Sequence, residues 1–122
     1  YPVLIVVPAS LRFCWRDELL RWLPPELLPP ARVQVVKTGK DALQHAARVV
    51  IMSYDLVAKL EQRLVERGFG TLVLDEAHYI KSRAAKRTKA LQAVARASSG
   101  APKYVLLMTG TALTGKPLEL YT

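Results

Sequence analysis

Two adjacent carboxylates, Asp75 and Glu76, stand directly after an apolar run at residues 71–74, and His78 follows them closely. A continuous apolar run of this kind favours a strand of a parallel sheet that is covered on both faces. Open parallel sheets bind ligands at the carboxyl ends of their strands, which is where both acids would lie. Because neighbouring carboxylates repel each other and are costly to desolvate, a cation, a proton or solvent must accompany them.

This arrangement is typical of the Walker B motif of nucleotide hydrolases. In that interpretation Asp75 holds Mg²⁺, directly or through water, and Glu76 orients or deprotonates an attacking water molecule. The alternative is a strand that ends in an ordinary polar turn. The short sequence by itself leaves both interpretations open.

The composition favours one folded α/β domain. The chain has 122 residues, of which 51% are hydrophobic, and Cys14 is its only cysteine, which excludes an intrachain disulfide and fits an intracellular compartment. No apolar run is long enough to span a membrane, so no membrane partner is expected. The net charge is +8, and six of the basic residues fall in one stretch without any acid: Lys81, Arg83, Lys86, Arg87, Lys89 and Arg96. Such a stretch could bind nucleic acid phosphates or form a solvated helix face.

The order of apolar and turn-forming residues predicts strands that alternate with helices, and therefore a mainly parallel sheet with helices on both faces. Strands are predicted at residues 1–7, 32–37, 48–52, 71–74 and 103–108. Helices are predicted at residues 11–23, between Ser53 and Gly68, at 83–97 and after Pro117, with a short helical piece or a loop at 41–47.

The first helix is predicted to begin after an N-cap at Ser10 and to pack through a stripe of apolar side chains. Cys14 is expected to be a small buried residue beside that stripe. The stripe, whose tryptophans are expected in the core rather than stacked on bases, consists of Leu11, Trp15, Leu19 and Trp22. His45 is interpreted as a surface or packing residue.

Residues 110–117 nearly match a phosphate-binding P-loop, and they lie between a predicted strand and a predicted helix. Pro117 nevertheless replaces the hydroxyl residue that would bind Mg²⁺, and this segment follows the acidic strand instead of preceding it. The preferred interpretation is that the turn at residues 109–111 lies beside the acids and senses the γ-phosphate. A kinase-like enzyme that uses Lys116 is a further alternative.

Four polar turns after four predicted strands resemble motifs Ia, Ib, II and III of superfamily-two helicases, in order and spacing. These turns begin at Pro8, Ser53, Asp75 and Thr109. The chain is identified on them as part of the first RecA-like lobe of a Swi/Snf-type DNA translocase. Thr-Gly-Thr at residues 109–111 favours this family over the DEAH-box RNA helicases, and residues 115–121 favour the annealing-helicase branch.

The resemblance implies ATP and Mg²⁺ as cofactors. It implies that Asp75 binds Mg²⁺, that Glu76 activates water, and that His78 links the nucleotide site to motif III or to the second lobe. Thr109 and Thr111 would couple the nucleotide site to DNA. The residues that would contact DNA, mainly through its phosphates, are Pro8, Ala9, Ser10, Ser53, Tyr54 and Lys81.

The resemblance also implies which parts of the motor lie outside residues 1–122. The motif I P-loop and the second RecA-like lobe, with its arginine finger, are expected elsewhere in a parent protein, and the 122 residues alone are expected to hydrolyse no ATP. Ala112 replaces the proline usual in the family without removing a catalytic group. The predicted activity of the parent is ATP-driven translocation on, or remodelling of, double-stranded or forked DNA, in the nucleus of a eukaryote or the cytoplasm or nucleoid of a bacterium. The alternative is a basic DNA-binding module that has the fold but no motor activity.

Overall fold

The computed structural model describes residues 2–75, 89–91, 93–94, 104–108 and 118–119. Its centre is a six-stranded sheet with the order β2-β3-β1-β4-β5-β6. The strands are β1 (Val3–Val7), β2 (Val33–Val35), β3 (Val49–Ser53), β4 (Thr71–Leu74), β5 (Tyr104–Leu107) and β6 (Leu118–Glu119). All neighbouring pairs are parallel except β5 and β6. The predicted, mainly parallel sheet is therefore confirmed.

Apolar residues on both faces make this a buried sheet with a helical layer on each side. Because successive strand residues point to opposite faces, Leu4 and Val6 join one core cluster, whereas Ile5 and Val7 join the other. Helix α1 (Arg12–Trp22) covers the second face. Helices α2 (Tyr54–Lys59) and α3 (Glu61–Arg67) cover the first, together with helical residues 89–91 and 93–94. The result is the predicted three-layer α/β architecture.

Helix α1 differs from its prediction in three ways. Ser10 is not the N-cap, because it lies inside a short 3-10 turn at Ala9–Leu11 and the helix begins after Leu11. Trp22 does not pack in the core: its side chain is 72% exposed at the last helical residue and donates to Glu18 at 2.7 Å. Cys14 is also exposed, since it lies on the solvent side of the helix. Leu11, Trp15 and Leu19 do pack against the sheet as predicted.

The segment between β3 and β4 forms two helices rather than one, with the break at Leu60. The predicted packing residues Val57, Leu60 and Leu64 are all buried, so the break redirects the chain without exposing its apolar side. Gly68 ends α3 with φ at 74°, as the sequence predicts for a helix-terminating glycine. Ser53 is at the N-cap of α2, but its side chain makes no capping hydrogen bond.

Two further predictions meet different outcomes. The chain between β2 and β3 forms loops and turns over residues 41–47, one of the two forms expected there. The closing helix after Pro117 is wrong for Leu118 and Glu119, which form strand β6 antiparallel to β5. The open edge of β5 offers backbone hydrogen-bonding groups, and pairing there satisfies them better than an isolated helical turn. Among the described residues, no helix is long and apolar enough to cross a membrane.

Candidate functional site

The candidate site lies where the central strands β3, β1 and β4 end side by side. Val7 of β1 is level with Ser53 at the end of β3, and Val6 is level with Leu74 at the end of β4. The backbone N–H of Asp75 donates to the carbonyl of Val6 at 2.9 Å, which continues the sheet by one residue. The first residues of three predicted polar turns, Pro8, Ser53 and Asp75, therefore lie together at the carboxyl ends of the strands, which form one edge of the sheet.

Trp15 of helix α1 holds the side chain of Asp75. Its indole Nε1–H donates to Oδ2 of Asp75 at 2.9 Å, across 60 residues of sequence. Both side chains are half-buried, and Trp15 also packs against the apolar cluster that includes Val7 and Val73. An N–H bond to a carboxylate is among the stronger hydrogen bonds in proteins, so this contact orients the carboxylate at the strand end.

Tyr54 holds the backbone of the same residue from the other face of the sheet. Its hydroxyl donates to the backbone carbonyl of Asp75 at 2.6 Å. The Tyr54 side chain is 2% exposed and belongs to the core cluster opposite to that of Trp15. Asp75 is thus fixed through its carboxylate by one helical layer and through its peptide group by the other.

The turn after β1 is the exposed part of the site. Ala9 and Ser10 are exposed in the 3-10 turn, and the N–H of Leu11 donates to the carbonyl of Pro8 at 2.9 Å. Arg12 attaches this turn to the chain after β2. Its Nε donates to the carbonyl of Ala9 at 3.1 Å, and its Nη1 donates to the carbonyl of Val36 at 2.8 Å. The backbone of the turn is therefore presented to solvent in a defined shape.

Two of the other predicted DNA contacts, Ser53 and Tyr54, are less accessible. Ser53 is 5% exposed and Tyr54 is 2% exposed. Their side chains face the protein rather than solvent, so the structure does not present them to a DNA strand. For the Tyr54 side chain it shows a different role, that of supporting Asp75.

Several predicted site residues lie outside the described residues: Glu76, His78, Lys81, Thr109, Thr111, Lys116 and Pro117. Of the residues near the predicted turn at 109–111, Met108 is described, and its N–H donates to the carbonyl of Leu74 at 2.8 Å. Met108 thus lies beside the end of β4.

Sequence reasoning missed the two hydrogen bonds to Asp75. The apolar spacing of α1 places Trp15 in the core, and the turn position of Tyr54 suggests a surface contact. A signal was available in the residue types, because buried tryptophan and tyrosine usually find a partner for their N–H or O–H group. Neither the partner nor its distance in sequence could be read from that signal.

The geometry suits a metal that takes few protein ligands. Within the described part of the chain, no group of three or more histidine, cysteine, aspartate or glutamate side chains could hold a metal ion. Mg²⁺ in nucleotide enzymes is commonly bound by one or two carboxylates, with water and phosphate oxygens as its other ligands. The oriented carboxylate of Asp75 at the end of β4 fits that mode of binding.

The chain is similar to proteins of one family over its full length. The model of the SNF2-related domain matches residues 1–122. A SWI/SNF-related matrix-associated actin-dependent regulator of chromatin, subfamily A-like protein 1, from Bos taurus is 39% identical over the whole chain. The DNA annealing helicase and endonuclease ZRANB3 of Mus musculus is 36% identical over 99% of the chain.

A solved structure gives the same picture. The Sulfolobus solfataricus SWI2/SNF2 ATPase core in complex with dsDNA matches 94% of this chain with a TM-score of 0.65 and 26% identity. The match covers 22% of that ATPase core, and the chain spans 12% and 11% of the cattle and mouse relatives.

Proposed function

Because the chain belongs to the SNF2-related domain family, we propose that it is part of the first motor lobe of an ATP-driven protein that moves on double-stranded DNA. The observation that carries the proposal is the fixed carboxylate of Asp75 at the end of central strand β4. It lies at the same sheet edge as the exposed turn at Ala9–Leu11. A nucleotide site and a DNA-contacting surface would thus share one rigid edge.

In this proposal Asp75 binds the Mg²⁺ that accompanies ATP. The ion would neutralise negative charge on the phosphates while the γ-phosphoryl group is transferred to water. Glu76 would orient or deprotonate the attacking water, and His78, Thr109 and Thr111 would connect the nucleotide site to the second lobe and to DNA. Trp15 and Tyr54 support the proposal because they hold Asp75 in one orientation, and an oriented ligand needs no rearrangement when the cation binds.

The DNA-contacting surface in this proposal is the turn from Pro8 to Ser10, extended by Lys81. Backbone N–H groups and small side chains suit contacts with the phosphate backbone, which position a protein without reading sequence. The Sulfolobus structure, in which a related ATPase core is in complex with dsDNA, supports duplex DNA as the partner. The second RecA-like lobe of the parent protein would close over the same edge.

The annealing helicase among the relatives suggests a finer assignment. We propose that the parent protein rewinds complementary strands or remodels forked DNA, in the nucleus of a eukaryote or the nucleoid of a bacterium. ATP-dependent annealing of two complementary oligonucleotides by the full-length protein tests this assignment. Duplex-stimulated ATP hydrolysis without any annealing would support the motor and contradict the finer assignment.

The decisive substitution for the motor is Glu76→Gln in the full-length protein. This variant should retain ATP binding, because Asp75 still holds the cation. Its duplex-stimulated rate of ATP hydrolysis should fall at least about 100-fold, because the general base is missing. Glu26→Gln, on the exposed loop after α1, is the matched control and should leave hydrolysis unchanged. Phosphate release with and without duplex DNA measures both.

Two results would contradict the proposal. An unchanged rate of hydrolysis by the Glu76→Gln protein would show that Glu76 does not activate the attacking water. Salt-dependent DNA binding by a parent protein that hydrolyses no ATP would instead indicate a binding module that has the fold of a motor without its activity.

A further inference from the structure

We propose that Trp15 is a positioning residue for the carboxylate of Asp75, an inference that rests on the proposed function. Its indole N–H would set the orientation in which Asp75 meets the cation. The bond would also join the nucleotide site to the helix that follows the exposed turn at Ala9–Leu11.

The first support is the chemistry of the contact. The Nε1–H group of an indole is a donor only, so it can hold a carboxylate but cannot exchange roles with it. At 2.9 Å from Oδ2 it constrains both the rotamer of Asp75 and the plane of its carboxylate. Hydrogen bonds that orient a metal-binding side chain typically change metal affinity or activity when they are removed.

The second support is the rigidity of the donor. Trp15 packs on the apolar layer that contains Val7 and Val73. The first residue of its helix, Arg12, donates to the carbonyls of Ala9 and Val36 at 3.1 and 2.8 Å. The indole is therefore supported on one side by the core, and its helix is attached to the sheet through Arg12. These contacts limit how far the indole can move with the carboxylate.

The third support is the position of Trp15 along the chain. It lies four residues after Leu11, about one helical turn from the end of the exposed 3-10 turn. The exposed turn and the side chain that donates to Asp75 therefore belong to one short segment of the chain.

The chain contains a matched comparison on the same helix. Trp22 also donates through its indole, to Glu18 at 2.7 Å, but it is 72% exposed and bonds within its own helix. Replacing either tryptophan by phenylalanine keeps an aromatic ring and removes one N–H donor. A general effect of losing an indole donor from α1 should appear in both variants, whereas positioning of Asp75 should be lost in only one.

The experiment uses the full-length protein with Trp15→Phe, Trp22→Phe, Asp75→Ala, or Trp15→Phe combined with Asp75→Ala. A fluorescent ATP analogue reports nucleotide affinity across a Mg²⁺ titration and in EDTA. Trp15→Phe should raise the half-saturating Mg²⁺ concentration by about tenfold or more. It should leave affinity without Mg²⁺ and affinity for duplex DNA without nucleotide unchanged. Trp22→Phe should behave as the unsubstituted protein in every measurement.

The double variant separates positioning from packing. If Trp15 acts through Asp75, adding Trp15→Phe to Asp75→Ala should change Mg²⁺-dependent binding no further. An unchanged Mg²⁺ requirement in Trp15→Phe, or an equal loss of affinity with and without Mg²⁺, would overturn the inference. Asp75→Ala that keeps its Mg²⁺ dependence would instead overturn the proposed role of Asp75, so the two failures are distinguishable.

Discussion

At the scale of single residues, Asp75 is held at two different groups by two side chains. Trp15 binds the carboxylate at 2.9 Å, and Tyr54 binds the peptide carbonyl at 2.6 Å. The first bond fixes where the acid points, and the second fixes where the strand ends. Removing them should therefore have different consequences, one for the chemistry of the site and the other mainly for the stability of the fold.

Tyr54→Phe should lower the free energy of unfolding by about 1–2 kcal/mol, because it removes a short hydrogen bond that a buried side chain makes to the half-buried Asp75. Chemical denaturation monitored by circular dichroism measures the change. Tyr104→Phe is the matched control, since Tyr104 is 66% exposed on β5 and should tolerate the loss of its hydroxyl. Equal stability of the Tyr54 variant and the unsubstituted protein would show that water replaces the hydroxyl without cost.

The acid at the strand end could be found from sequence, whereas its two donors could not. Asp75 follows a run of apolar residues, and that local pattern marks the end of a buried strand. Trp15 and Tyr54 lie 60 and 21 residues away from it. Their contacts depend on the packing of two helical layers against one sheet, which no local pattern records.

At the scale of elements, the strand positions and the helix end at Gly68 were predictable, whereas the N-cap of α1 and the break between α2 and α3 were not. Buried parallel strands have apolar residues on both faces, and this pattern survives in sequence over four or five residues. Helix ends depend instead on caps and on local turns. Ser10 is therefore not the N-cap of α1, and the apolar spacing did not predict the break at Leu60 between α2 and α3.

Gly68, at the end of helix α3, is a position where an added methyl group should lower stability. Its φ of 74° and ψ of 131° are unfavourable for other residues, although an added Cβ would meet no atom within 4 Å. Gly68→Ala should therefore lower the free energy of unfolding by about 1–3 kcal/mol through backbone strain alone. Denaturant titration measures this change.

Gly39→Ala is the matched control for that substitution. An added Cβ there would lie 3.7 Å from Cδ of Lys59, an ordinary contact, and the change in stability should stay below about 1 kcal/mol. Equal destabilisation by the two substitutions would mean that the loss of glycine itself, rather than the backbone conformation at Gly68, sets the cost.

At the scale of the whole molecule, the charge and the position of the site suggest how the parent protein meets DNA. The chain has a net charge of +8, and its proposed DNA-contacting turn offers backbone groups rather than base-reading side chains. The full-length protein should therefore bind duplexes of different sequence with similar affinity, and that affinity should fall steeply with added salt.

Fluorescence anisotropy with two unrelated duplexes across a potassium chloride titration measures this prediction. A titration with sucrose in place of salt controls for changes in viscosity and water activity. A strong preference for one duplex, or binding insensitive to salt, would contradict the proposed phosphate contacts.

The double attachment of Asp75 also bears on which mutations the domain can tolerate. Because both helical layers reach the same residue, a substitution that shifts either layer should alter the position of Asp75 even when the substituted residue is not part of the site. Leu19 on one side of the sheet and Val57 on the other are such positions, since each packs in the layer that supplies one of the two donors. Loss of activity with an intact fold is therefore an expected outcome of variation in either helical layer.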